Sequence, residues 1–169
     1  VDRFGQPKNL DFPGKITDEA QLKADIAADR AYYGSLRPPE TAPWGGMAGS
    51  RGKFNLKATG LFRLDKVQGR DVLVTPEGDL FFQLGVCTVC PGDDHTYIKG
   101  REQIYEWLPK YESEYKTAFR GHWATDFSFY LANRIRKTGR PYELDEWKRE
   151  QISRLRKWGF NSDGAFTTY

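Results

Sequence analysis

This chain of 169 residues has no long apolar run, no large excess of one charge and few Cys and His residues. No apolar run approaches the ~20 residues that a helix needs to cross a bilayer, so no membrane span is expected. Lys and Arg number 26 against 23 Asp and Glu, and this near balance supplies no extended positive field for nucleic acid. We therefore expect neither a membrane nor a nucleic acid as a partner.

The two Cys and two His residues fall mostly in one short segment. Cys87 and Cys90 form a CxxC pair, with Asp94 and His95 close behind. A structural zinc site needs four ligands, usually from two such clusters, and only His122 remains elsewhere to help. A thioredoxin-type CxxC begins a helix, whereas this pair ends an apolar strand and precedes a proline. We therefore expect no metal and no cofactor, with a metal site and redox chemistry as the alternatives.

Aromatic residues are abundant: Phe, Trp and Tyr make up 15% of the chain. Such an excess suits sugar binding, because a pyranose ring has an apolar C–H face that packs on a flat side chain. It equally suits a core whose aromatic residues are covered by neighbours outside this sequence. Composition alone leaves both interpretations open.

Turn residues and hydrophobic spacing divide the chain into three regions. Residues 1–59 read as a connector with one helix, capped by Asp18, and an irregular loop rich in proline and glycine. Residues 60–79 alternate apolar and polar side chains between turns, which predicts an antiparallel β-meander. Residues 80–169 read as strand, long helical crossover and strand, which is one βαβ unit of a parallel sheet.

Within the third region, residues 80–86 are nearly all apolar, as in a strand covered on both faces. Helices are predicted at 100–107, at 123–136, where His122 and Trp123 would stand at the start, and at 144–158, with Gly159 as the left-handed residue that ends the last one. Basic residues of the last helix are interspersed with acidic ones, which indicates a mixed-charge solvent face rather than a nucleic-acid surface.

Three stretches resemble the β-agarase family of glycoside hydrolases, family 50 and its relatives. The opening VDRFGQ, with DFPGK, is similar to the family's segment between an upstream β-sandwich and a (β/α)₈ barrel. Residues 58–86 resemble its TGFF and LVxPEGxxFFSLGV stretch, and residues 154–166 resemble the WGFNTIG junction before its second barrel strand. The chain departs from the family at Gln83 and Cys87, where Ser and Asn are usual, and residues 90–140 match no family pattern.

The resemblance implies a retaining glycosidase that hydrolyses a galactan such as agarose. The family's two catalytic glutamates lie near the ends of the fourth and seventh barrel strands, whereas 169 residues are fewer than the roughly 250 of a complete barrel. We therefore predict an α/β fold with the first strands of a partial (β/α)₈ barrel, and no catalytic residue in this chain. The rest of the barrel, an upstream β-sandwich and the galactan would be its partners, and the resemblance implies a secreted or periplasmic location.

Four residues are candidates for substrate binding. Asp94, His95 and Tyr97 follow the first predicted barrel strand, at the face where active sites of this fold are built, and are expected to line a sugar subsite. A solvated turn that also holds Asp93 is the alternative. Trp44 lies in the irregular loop and is a candidate for stacking on sugar, with packing against the rest of the barrel as the alternative. The rival function is a non-catalytic carbohydrate-binding or interaction module.

Overall fold

The computed structural model describes residues 1–91 and 94–168, so the predicted candidate Asp93 lies outside the described residues. The chain is mixed α/β and divides into two compact units. Unit 1 combines Val1–Ser35 with Cys90–Arg149, and unit 2 combines Leu36–Val89 with Glu150–Tyr169. None of the helices found in the described ranges has the length and apolar content needed to cross a bilayer.

The described residues contain four α-helices and eight short strands. The helices α1 to α4 are Glu19–Ser35, Ser50–Lys53, Phe129–Thr138 and Leu144–Lys157. The strands β1 to β8 are Arg63–Val67, Arg70–Val74, Leu80–Phe81, Gly85–Val86, Thr96–Tyr97, Phe119–Arg120, Asp126–Phe127 and Ser162–Asp163.

Local sequence signals explain the ends of the two longest helices. Asp18 caps α1 by accepting a hydrogen bond from the backbone N of Gln21 at 2.9 Å, as predicted. Gly159 follows α4 with a φ of 88°, the left-handed conformation that glycine adopts without steric cost. These two predictions are confirmed.

Unit 2 contains two sheets. β1, β2 and β3 form an antiparallel meander, in which Arg63 pairs with Val74 and Leu80 pairs with Val74 from the other side. β4 and β8 pair in parallel, with Gly85 opposite Ser162. The chain between them contains α3 and α4, so the predicted order of strand, helical crossover and parallel strand is present.

The prediction that residues 80–86 form one covered strand is wrong. It is split into β3, which ends the antiparallel meander, and β4, which begins the parallel pair. Phe82 stands between them with 73% of its surface exposed. The apolar composition predicted an extended segment. It could not show that β3 pairs with the preceding strand β2, whereas β4 pairs with the distant strand β8.

Unit 1 has a core built around α3 and a second antiparallel sheet in the order β5-β7-β6, which the sequence did not predict. Six buried residues form this core: Ile98, Ala118, Phe127, Leu131, Ala132 and Ile135. The opening segment packs on α3, because Asn133 Nδ2 donates to the Phe4 carbonyl at 2.8 Å and Arg136 Nη1 donates to the Arg3 carbonyl at 2.7 Å. The buried Arg136 guanidinium lies 4.0 Å from the centroid of the Trp107 ring.

Two predicted helices in unit 1 are corrected. Residues 100–107 contain only a 3₁₀ turn, Glu102–Ile104, preceded by Gly100 at a φ of 75°. Helix α3 begins at Phe129 rather than at residue 123, because Ser128 Oγ accepts from the Leu131 backbone N and caps it there. Trp123 precedes the helix in a turn with a φ of 62°.

Candidate functional site

The parallel pair in unit 2 brings two loops to one edge. β4 and β8 run in the same direction, so the segments that follow them, 87–89 and 164–168, leave from the same end of the strands. The Thr88 backbone N donates to the Ala165 carbonyl at 2.8 Å, and the Thr168 backbone N donates to the Val89 carbonyl at 3.0 Å. The two segments therefore form one hydrogen-bonded surface, which we call the carboxyl edge.

The backbone of the carboxyl edge is strained at two positions. Thr88 has a φ of 59° and Phe166 a φ of 63°, a region that residues with a side chain rarely adopt. Such strain persists only where surrounding contacts impose it, and it concentrates at functional sites. Phe166 exposes 81% of its surface, so its ring can stack on a ligand. Open α/β sheets bind ligands at this end of their strands.

Gly164 allows the two segments to approach closely. A Cβ atom at this position would lie 2.7 Å from Cys87 Sγ, closer than real Cβ atoms come to a neighbour. Any residue with a side chain at position 164 would therefore force Cys87, the residue that follows β4, to shift. The sequence shows a glycine at position 164, but it does not show that Cys87 is its neighbour in space.

At the other end of the same strands, Asn161 joins three segments of unit 2. Its Oδ1 accepts from the Leu84 backbone N at 2.9 Å, and its Nδ2 donates to the Phe82 carbonyl at 2.9 Å and to the Gly45 carbonyl at 3.0 Å. Its backbone N also donates to the Leu84 carbonyl at 3.0 Å. Asn161 therefore fixes the exposed stretch between β3 and β4. The WGFN motif drew attention to this position, but the sequence did not predict its role.

Asn161 also fixes the loop that carries Trp44. This loop forms a 3₁₀ turn, Pro43–Gly45, and Trp44 within it has a φ of 64° and exposes 61% of its surface. The ring stands edge-on to Phe62 at 6.2 Å between centroids. A cleft of about 610 Å³, which we call the Trp44 cleft, opens here. Its lining includes Pro39, Trp44, Phe62, Phe81, Arg156 and Asn161.

The other three predicted substrate contacts lie in unit 1, in the chain that follows the carboxyl edge. Asp94 accepts a hydrogen bond from Ser128 Oγ, the side chain that also caps α3. His95 Nδ1 lies 3.6 Å from Asp94 Oδ1, and the imidazole is only 6% exposed. Tyr97 belongs to β5, and its side chain is exposed. Asp94 is thus anchored to α3 rather than held only within a solvated turn.

A partly buried tyrosine, Tyr142, packs against the core of unit 1. Burial is the main cause that raises the pKa of Tyr142 to about 12, with smaller contributions from Tyr130 and Asp94 that outweigh the opposing charge of Arg134. The Tyr142 hydroxyl has no hydrogen-bond partner among the described residues. Close by in sequence, Trp147 Nε1 donates to the Tyr130 hydroxyl at 2.8 Å. This region therefore combines the buried ring of Trp147 with the exposed ring of Tyr130 and the partly buried Tyr142.

The thiols and potential metal ligands form no recognisable metal centre in the part of the chain that the structure describes. No group of three or more His, Cys, Asp or Glu side chains there could hold an ion. Cys87 is exposed and Cys90 is half-buried, and both are free thiols. His122, which we predicted at a helix start, lies beside Trp123 in the turn before β7, with their ring centroids 4.9 Å apart.

The chain is similar to known proteins in both sequence and fold. No protein-family model matches the chain. Beta-agarase B of Vibrio sp. (strain JT0107) is 30% identical over 194 aligned residues, which cover 97% of this chain and 20% of that protein. The chain therefore spans about a fifth of the length of this curated relative.

Three solved structures are similar over 99% of the chain. An agarase, AgWH50C, has a TM-score of 0.81 at 25% identity, with 27% of its own chain covered. PfGH50B has a TM-score of 0.80 at 30% identity, with 28% covered. An exo-beta-agarase has a TM-score of 0.79 at 27% identity, with 29% covered. The predicted resemblance to a section of a β-agarase is confirmed.

Proposed function

We propose that this chain is the first section of the catalytic (β/α)₈ barrel of a glycoside hydrolase that cleaves a galactan such as agarose. The observation that carries the proposal is the parallel pairing of β4 with β8 across a helical crossover, within a fold that matches solved agarases at TM-scores of 0.79 to 0.81. In this reading β4 and β8 are the first two barrel strands. Residues 1–59 are the connector, and the opening of the barrel lies within the predicted range 80–169. The meander, predicted at 60–79, extends through β3 to Phe81, so the first barrel strand begins at Gly85.

Exposed apolar side chains around the parallel pair support an incomplete barrel. Phe82 and Leu84 directly precede β4 and are exposed, although a complete barrel buries such residues in interior layers or beneath the outer helices. Two parallel strands also leave unpaired backbone groups along their outer edges, which further strands would satisfy. We infer that the rest of the polypeptide completes the barrel, and that a β-sandwich precedes the connector.

Catalysis in this proposal requires two carboxyl groups from outside the chain. In a retaining glycosidase one carboxylic acid protonates the leaving oxygen and the other attacks the anomeric carbon, at a separation of about 5 Å. This chain contributes to substrate binding through the loop after the first barrel strand and, separately, through the loop that carries Trp44. Asp94 would hydrogen-bond a sugar hydroxyl, and the nearly buried His95 beside it would position its carboxylate in the subsite. Tyr97 and Trp44 would pack on the apolar faces of pyranose rings.

The proposed role needs no cofactor, because acid, nucleophile and water suffice for glycoside hydrolysis. A polysaccharide substrate outside the cell implies that the enzyme is secreted or periplasmic. Nucleic acid and membrane are not among the proposed partners.

The test is a comparison of the full-length polypeptide with this chain alone on agarose. We expect the full-length polypeptide to release reducing ends, with retention of anomeric configuration by proton NMR at early times, and we expect the chain alone to release none. Hydrolysis by the 169 residues alone would contradict the placement of both glutamates outside them. A full-length polypeptide that binds agarose without cleaving it would favour the rival function, a non-catalytic binding module.

A further inference from the structure

From its aromatic lining, fixed backbone and position in unit 2, we propose that the Trp44 cleft binds a segment of galactan chain. The cleft lies at the amino ends of β4 and β8, because its lining includes Phe81, at the end of β3, and Asn161, directly before β8. The carboxyl edge with Thr88 and Phe166 is at the opposite ends of these strands. The inference rests on the proposed function for the identity of the sugar.

The lining of the Trp44 cleft has the chemistry that a pyranose requires. Trp44 and Phe62 both expose their rings, and Phe62 also contacts Phe81 edge-on at 5.3 Å between centroids. Flat rings of this kind pack on the C–H face of a sugar, while the Arg156 guanidinium in the lining can donate to hydroxyl groups. A volume of about 610 Å³ is within the range of small-ligand sites.

The Trp44 loop is held rigidly, which favours a binding role. The Ala42 backbone N donates to the Gly46 carbonyl at 2.8 Å, and the Gly45 backbone N donates to the Ala42 carbonyl at 3.1 Å. Asn161 Nδ2 holds the Gly45 carbonyl from outside the loop. Trp44 is therefore kept in a strained conformation with its ring exposed to solvent. Because the loop is already ordered, ligand binding loses little conformational entropy there.

The Trp44→Gly variant tests the proposal without damaging the loop. Glycine adopts a φ of 64° freely, so this substitution removes the ring and relieves backbone strain. Phe62→Ala is the second variant. Leu64→Ala is the matched control, because it removes another exposed apolar side chain from β1 of the same unit.

The measurement is made on the full-length polypeptide with a soluble agaro-hexasaccharide, and with a cello-hexasaccharide as the control sugar. Amide hydrogen exchange of residues 41–47 should slow when the agaro-hexasaccharide is added to the wild type and to Leu64→Ala. It should not change with Trp44→Gly or Phe62→Ala. Binding isotherms on insoluble agarose should weaken at least tenfold for both cleft variants, and the cello-hexasaccharide should have no effect on exchange.

Two results would overturn the inference. The first is a wild type that hydrolyses agarose while residues 41–47 show no sugar-dependent protection, which leaves the proposed function intact. The second is a Trp44→Gly polypeptide that loses several degrees of Tm but binds agarose as the wild type does. That result would show that the Trp44 ring packs against the rest of the polypeptide and does not bind sugar. A wild type that neither binds nor hydrolyses any galactan refutes the proposed function itself.

Discussion

Replacing Asn161 with alanine should release the stretch between β3 and β4. The substitution removes three side-chain hydrogen bonds, to Leu84, Phe82 and Gly45, at 2.9 to 3.0 Å. At about 0.5–1.5 kcal/mol for each bond, the local stability should fall by roughly 2–4 kcal/mol. The backbone bond from Asn161 to the Leu84 carbonyl remains, so the segment should loosen without unfolding the whole unit.

Amide hydrogen exchange measures this effect directly, even in a large enzyme. A loss of 2–4 kcal/mol corresponds to opening about 30- to 1000-fold more frequently, so peptides covering residues 80–86 should exchange faster by that factor. Asn9→Ala, the same substitution at an exposed position, is the control and should leave these peptides unchanged. Peptides from the core of unit 1 should also be unchanged.

Asn161→Asp separates the acceptor role from the donor role. Aspartate retains an oxygen for the Leu84 backbone N but loses both donated bonds and places a carboxylate against the carbonyls of Phe82 and Gly45. We expect it to accelerate exchange at least as much as alanine does. If either variant changes the exchange of residues 80–86 less than threefold, the reasoning that Asn161 fixes this stretch is refuted.

Three further predictions concern other residues. Gly85→Ala should destabilise the polypeptide by about 1–3 kcal/mol in urea denaturation, because its Cβ would lie 2.8 Å from the Ser162 carbonyl oxygen; an unchanged midpoint would contradict this. Tyr142, with a pKa of about 12 against 10.0 unfolded, should contribute stability that is complete below pH 10 and lost as pH rises toward 12; the late tyrosinate absorbance step should disappear in Tyr142→Phe. His95→Ala should lower kcat/KM on agarose about tenfold, whereas His122→Ala should not; equal effects would remove His95 from the proposed subsite.

Features set by neighbouring residues were predictable from the sequence. Asp18 and Gly159 mark the ends of α1 and α4 because capping depends on atoms within one helical turn. The meander was predictable for the same reason, since Gln68 and Gly69 make the tight turn that joins β1 to β2. In each case the determining contacts lie within a few residues.

Features set by distant residues were not predictable. Residues 80–86 are divided because Asn161, 77 positions after Leu84, bonds to the backbone between β3 and β4. The start of α3 is a different case, because the cap that sets it, Ser128, is local but was not recognised when the helix was predicted from residue 123. The Trp44 candidate was visible as an exposed aromatic in a glycine-rich loop, but the sequence could not show that Phe62 and Arg156 lie in the same cleft.

The interleaved order of the two units has a consequence for biosynthesis. Each unit is assembled from two separate stretches of chain, with residues 90–149 of unit 1 emerging between the halves of unit 2. At roughly 5–20 residues per second, a ribosome needs about 3–12 seconds to translate those residues. During this interval Leu36–Val89 waits without the β8 strand that pairs with β4. During this time the apolar residues around Phe82 are exposed and can form non-native contacts. Binding of a chaperone at this stage of translation would therefore reduce misfolding most.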